Sequence, residues 1–372
     1  MRQMQTWIWN NTIDNSIASY VGYVQVTDTS YVDEAIMDNT IELNSIDTSL
    51  LNSINGVRGV FPRIQSFTLA SYNIQAKVVG VLGYNPSTDT EELKLDAKLK
   101  SGQLLNDSDK SILITSVMAD YFRLDIGDTV VLFGSGYQGM TAAGLYPIKG
   151  IVNIPAGNLS NMIFMGMNEC QHFYAAKGRV SSVLVNIEDG EDMHEVDRVV
   201  KSMISNKSLI VRNWEEVLPG MKEGMDIDIA SNKVMLSVLL VIVCFGIFGT
   251  IVMMYNERIM EFSILLSIGM GKTRILIMTL AEVYLLSILG ILASWIALTP
   301  ILYYINIHPI PLGDSVQEAL KEYGMDAVLS VGLYPEIYLE SSGLIFGMTM
   351  FMSLYVVVKI LNLTPLSGTR KQ

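Results

Sequence analysis

The chain has 372 residues, half of them hydrophobic, with a mean hydropathy of +0.36 and only 17% charged side chains. Residues 1–225 hold 17 bases and 26 acids, a net −9, and residues 226–372 hold 8 and 11, a net −3, which together account for the −12 of the whole. So acidic a chain lacks the basic stripe that a nucleic-acid partner requires. Its two cysteines and three scattered histidines form neither a disulfide framework nor a metal cluster readable from spacing.

Residues 1–20 begin MRQMQTWIWNNTIDNSIA and show neither the apolar segment nor the small-residue cleavage site of a signal peptide. Residues 21–225 read as one mixed α/β domain. The alternation in Tyr20–Val26, Val57–Arg63 and Ala76–Leu82 predicts strands, and Ser111–Phe122 predicts a strand leading into a short helix. Further strands are expected at Asp128–Phe133, Tyr146–Val152, Ser181–Ile187 and Leu209–Val211, with a turn-rich tip at Gly134–Gly139. The stretch Gly139–Gly144 reads as a plain turn or a contact loop. Asp192–Ser205 is an amphipathic helix pattern with Met193, Val196, Val199, Val200 and Met203 facing inward. Chemistry is sparse here. Glu91-Glu92 and Glu215-Glu216 are sequence neighbours that do not share a helix face, and they read as solvated charge. No serine stands in a G-x-S-x-G setting, and His172 and His194 have no triad or metal partners at readable spacing.

The remainder, 226–372, is apolar. Val234–Met254 runs 21 residues without a charge, enough to cross a hydrocarbon core of ~30 Å as a helix. A second span is expected at 277–303, with Pro300 near one end, and a third at 341–359, where Lys359 can reach the interface. The loop between the first two spans carries Arg258, Lys272 and Arg274, and the tail carries Lys359, Arg370 and Lys371. The loop at 308–340 holds Lys321 against Asp314, Glu318, Glu322, Asp326, Glu336 and Glu340. Basic flanks mark the cytoplasmic side, so the acidic loop and the large N-terminal domain are expected outside. Three spans behind an exported domain leave its export unexplained. A first membrane helix is therefore expected to be missing ahead of residues 1–20, which become its stalk.

Between the first two spans, residues 256–269 read as an amphipathic helix. Ile259, Phe262, Leu265 and Leu266 fall on one face, Glu257, Arg258 and Glu261 lie around the other, and Gly269 is the C′ residue that ends it. Arg258 and Glu261 stand at i, i+3 and are expected to pair. Such a helix suits docking on a protein better than lying on lipid, because its polar face is not Lys-rich. Gly269-Met-Gly-Lys-Thr273 imitates the end of a phosphate-binding loop, but Leu266 occupies the position of the required glycine. Gly246/Thr250 and Gly343/Gly347 are small-xxx-small spacings that permit close helix packing, within one subunit or between two.

The order E-R-x-x-E-F-x-x-L-x-x-I-G at Glu257–Gly269, Glu282 beyond it, and Thr364-Pro365-Leu366 resembles the FtsX-like ABC permeases. Ala119–Asp128 and Ile148–Ile151 are similar to stretches of the MacB-like periplasmic domain, and Asn213-Trp214 to the lipoprotein-releasing permeases. The resemblance implies a membrane protein with an α-helical transmembrane bundle, three helices in this chain where the family has four, and a mixed α/β extracytoplasmic domain. It implies a non-catalytic, multi-pass subunit of the bacterial inner membrane, its large domain facing the periplasm or exterior. That subunit is paired with a second permease, homo- or heteromeric, and with a separate ABC ATPase that binds the ATP and Mg. The chain itself has no expected cofactor. By this resemblance Glu257, Arg258, Glu261, Phe262 and Gly269 belong to the ATPase-coupling helix, and Glu282 to its membrane anchorage. The function implied first is lipoprotein release to a periplasmic carrier. Efflux of drugs or peptides through an adaptor, or regulation of a cell-wall hydrolase, stands as the alternative.

Overall fold

The computed structural model describes residues 2–13, 20–154, 160–188, 190–204, 206, 208–311 and 328–364. They fall into a helical unit, mainly 223–310 with 329–364 and the first residues of the chain, and an α/β unit within 10–222.

The chain opens with α1 (Arg2–Thr12). The α/β unit then contributes β1 (Val24–Asp28), β2 (Ile41–Glu42), β3 (Val57–Tyr72), β4 (Gln75–Tyr84), β5 (Leu99–Gly102) and β6 (Ile112–Thr115). After α2 (Ser116–Phe122) come β7 (Thr129–Ser135), β8 (Thr141–Val152), β9 (Met162–Gly166) and α3 (Met167–Phe173). The unit ends with β10 (Arg179–Val180), β11 (Ser182–Ile187), α4 (Met193–Met203) and β12 (Leu209–Asn213). Three long helices follow, α5 (Pro219–Ser267), α6 (Lys272–Ile307) and α7 (Pro335–Leu361).

Ten strands form one mixed sheet in the order β12-β1-β11-β3-β4-β9-β6-β8-β5, and β7 bridges β3 and β8. That bridge closes β3-β4-β9-β6-β8-β7 into a ring. Only β4 with β9 and β6 with β8 run parallel within it. The ring is filled by Ile64, Ala70, Val79, Val81, Ile114, Leu132, Ile148 and Ile163. A second core gathers Tyr20, Leu82, Tyr84, Leu93, Leu95 and Phe164 on another side of the same strands. The segment 85–98 covers it through Pro86, Asp89, Leu93 and Leu95, all buried.

Several expectations need correction. The strand expected at Val57–Arg63 runs 16 residues to Tyr72, and β9 was not foreseen at all. The expected turn at Gly134–Gly139 is the end of β7 joined to a 3-10 turn at Tyr137–Gly139. Gln138 there accepts left-handed φ and donates its backbone N–H to Asp38, so the tip is tied down. Gly139–Gly144 is no free contact loop either, because residues from Thr141 on are already β8. In α4, Val196 and Val200 are buried as expected, but Met203 is 41% exposed. Glu216 is not merely solvated: it closes a capping box with Asn213, while Glu215 pairs with Lys222. Glu92 accepts from Asn186.

Gly83 on β4 sits where Cys170 of α3 presses on the strand. A methyl group at Gly83 would lie 2.7 Å from the Cys170 sulfur and 2.8 Å from its Cβ. Gly83→Ala is therefore expected to destabilise the α/β unit by about 1–3 kcal/mol through overpacking. A lowered urea midpoint at unchanged slope checks it, and an unchanged midpoint would show that α3 yields.

Candidate functional site

All three long helices are apolar enough to cross a membrane. α5 has 49 residues, a length of roughly 73 Å at ~1.5 Å per residue, more than twice the bilayer core. The segment 256–269, expected as a helix of its own, is instead the last turns of α5 without a break. The spans expected at 277–303 and 341–359 lie within α6 and α7. Of the expected loop 308–340, residues 312–327 lie outside the described residues, as do Pro365, Leu366, Arg370 and Lys371, and Glu336 and Glu340 are already helical in α7. The stalk expected over 1–20 is helical from Arg2 to Thr12, and its residues up to Trp9 belong to the helical unit. Gln5 and Trp9 both donate to Asp228 of α5, at 2.7 and 2.9 Å, and Arg2 pairs with Glu340 of α7.

The turn from α5 to α6 has a defined stop. Gly269 has φ +97°, its N–H donates to the Leu266 carbonyl at 3.1 Å, and the Met270 N–H donates to the Leu265 carbonyl at 3.0 Å. This is a Schellman closure, which needs a residue free of Cβ strain at C′. Gly271 then caps α6, and the Lys272 ammonium donates to the Leu361 carbonyl at the end of α7 at 2.7 Å. The residues resembling a phosphate loop thus tie three helix ends together.

Inward, Phe262 is 1% exposed among Tyr255, Ile275, Val356 and Ile360. Its ring lies 6.3 Å from that of Tyr255, which meets Tyr355 edge-on at 6.5 Å. Arg258 does not pair with Glu261 but crosses to Glu282 of α6. The reason is geometric: the partly buried Arg258 lies on the flank of α5 within reach of α6, whereas Glu261 is exposed. Further from the turn, Tyr284 bonds Ser353 at 3.1 Å, joining α6 to α7.

Outward, Glu257, Glu261, Ile264 and Ile268 form one stripe at i, i+4, i+7 and i+11, with Ile264 55% and Ile268 79% exposed. The two isoleucines were missed from sequence, although their spacing from Glu257 carried the signal. The stripe has carboxylates at one end and bare apolar side chains at the other, so it suits a protein surface offering a basic rim and an apolar pocket.

The small-xxx-small positions are open. A Cβ at Gly246, Gly343 or Gly347 would meet nothing within 4 Å, and Thr250 turns its hydroxyl back to the Gly246 carbonyl at 3.0 Å. Beside them a cleft of about 330 Å³ runs between the three spans, lined by Ile247, Thr250, Leu286, Gly290 and Thr349.

Residues 233–365 match the family model described as FtsX-like permease C-terminal, and residues 9–203 match that of the MacB-like periplasmic core domain. No curated protein matches the chain. Among solved structures, the periplasmic region of MacB from Actinobacillus actinomycetemcomitans is similar at 14% identity, over 56% of this chain and 96% of that one, with a TM-score of 0.39. The extracellular domain of YknZ, an ABC-type transporter from Gram-positive bacteria, is similar at 14% identity, over 51% and 99%, with a TM-score of 0.35.

Proposed function

The chain belongs to the FtsX-like ABC permeases that carry a MacB-like periplasmic core domain, and from that premise we propose that it couples ATP hydrolysis in a separate ATPase subunit to motion of its α/β unit. The observation that carries this reading is the unbroken α5. It begins where the α/β unit ends in sequence, crosses the membrane and finishes in the Glu257–Ile268 stripe. A helix without a hinge transmits displacement as a rigid body.

In this reading the stripe docks on the ATPase. Phe262, Gly269 and the Arg258–Glu282 pair hold it at a fixed angle, and the exposed Gly246/Thr250 and Gly343/Gly347 faces meet a second permease chain. The basic flanks of the α5–α6 turn put it on the cytoplasmic side of the inner membrane and the α/β unit on the periplasmic side. The chain performs no chemistry itself. Lipoprotein release is the cargo reading, supported by the Asn213-Trp214 resemblance. The MacB-like core domain favours a second one, efflux of peptides or drugs with an adaptor.

Co-purification from detergent with candidate ABC ATPases, followed by their ATPase rate, tests the coupling. Glu261→Arg reverses the charge of an exposed residue, so folding is expected to be retained. Association with the ATPase is expected to fall at least tenfold, a loss of about 1.4 kcal/mol or more. Undiminished association, or a wild-type chain that recruits no ATPase, would sink the reading.

A further inference from the structure

Along β3, β4, β7 and β8 the strands alternate cleanly. Ala70, Val79, Val130, Leu132 and Ala142 point into the core at 1% exposure or less. The opposite side is apolar as well. The registers set Val78, Leu69, Phe133 and Ala143 side by side in one row across the four strands, with Val131 beside Leu145 in the next row. Phe67 is 67% exposed, Val78 63%, Phe133 55% and Leu145 69%. Every outward position on these strands, from Phe67 to Ser71, Ala76 to Gly80, Thr129 to Ser135 and Thr141 to Pro147, lacks an Asp, Glu, Lys or Arg.

A sheet face left to water is ordinarily polar, and a monomer rarely exposes a contiguous apolar patch beyond a few hundred Å². The exposed side chains of this face present on the order of 600 Å², taking roughly 150–200 Å² for a large apolar side chain in full exposure. A standard-size interface buries ~800 Å² per partner.

Charge selects the occupant. Residues 1–225 carry a net −9, so a basic partner would be met through carboxylates, and this face has none. An anionic lipid surface would be met through lysines or arginines, and it has none of those either. Two copies of a domain this acidic repel wherever their charged surfaces meet, at a cost of several kcal/mol for juxtaposed like charges. The charge-free face is where they can meet without that cost, and the same patch on both chains closes a two-fold contact. We propose that this face of β4-β3-β7-β8 is the contact between the α/β units of two copies of the chain. It rests on the reading above in one respect, that two permease chains share a complex.

Single-cysteine chains test it, in full-length protein carrying Cys170→Ala and Cys244→Ala, held in detergent at low concentration with a short bis-maleimide. Phe133→Cys is expected to give crosslinked dimers in several-fold higher yield than Ile126→Cys, which is 48% exposed but lies beside Gly102, off the face. Adding Leu69→Asp to Phe133→Cys is expected to remove the crosslink, because it buries two facing carboxylates. Equal yields at the two sites would overturn the proposal, as would a Phe133→Cys crosslink only to a different protein in membranes. Mass measurement of the uncrosslinked chain separates the two failures. A dimer that does not crosslink at the face overturns only this contact, whereas a monomer overturns the paired-permease reading with it.

Discussion

Asp89→Ala is expected to destabilise the α/β unit by about 3–5 kcal/mol, the cost of leaving a buried charge without its partner. The charge is Arg63, which is 0% exposed beside Asp89 at 1%. Among the described residues its Nε and Nη2 have no hydrogen-bond partner, and neither has the buried hydroxyl of Tyr84. Burial pulls the guanidinium below its ordinary pKa while Asp89 acts to restore it, and burial raises that of the Tyr84 phenol. Asp89 also accepts from the Asn85 N–H at 3.0 Å and the Thr88 hydroxyl at 2.6 Å, so its loss loosens the segment that covers the second core. At ~3 °C per kcal/mol for a domain of this size, the thermal transition should fall by roughly 10 °C. Arg63→Met combined with Asp89→Leu is expected to recover most of that loss, since replacing a whole buried pair by apolar groups is often neutral. A double variant no better than Asp89→Ala would show that the pair contributes net stability.

Phe262→Ala is the second large effect. At 1% exposure its ring fills the space between the end of α5 and the ends of α6 and α7. Truncation is expected to cost about 3–5 kcal/mol. Because the same ring sets the angle at which the Glu257–Ile268 stripe is presented, ATPase association should fall although every stripe residue is intact. Phe262→Leu, which keeps most of the volume, should restore both. Measuring ATPase association beside thermal stability in the two variants decides the matter. A destabilised Phe262→Ala chain that still binds its ATPase fully would mean that the stripe does not depend on this core.

These two sites differ in how far they could be read in advance. Phe262 was legible because helical periodicity is local: residues three and four apart share a face whatever surrounds them. Gly269 was legible for a similar reason, since the end of a helix is decided within one turn. Arg63–Asp89 was not, because its partners are 26 residues apart on a strand and a helical turn, and nothing in either neighbourhood marks them as buried. Residues 64–72 gave no clear strand signal because each side of β3 mixes polar and apolar side chains there, Ser66 and Thr68 with Ile64 and Ala70 on one, Gln65 and Ser71 with Phe67 and Leu69 on the other. A period-2 reading would have assigned Phe67 and Leu69 to the core and Thr68 and Ala70 to water, and the structure has the reverse.

By itself the sequence determined three spans, an acidic α/β domain ahead of them, and an amphipathic segment closed by a glycine between the first two. Each of these follows from length, composition or a period of a few residues. Only the tertiary structure decided that the amphipathic segment is the unbroken continuation of α5, that Arg258 belongs to Glu282, and that a closed ring of strands turns an uncharged apolar face outward. Those depend on pairings such as Leu69 with Phe133, in which register, set by the whole sheet, selects which side of a strand is covered.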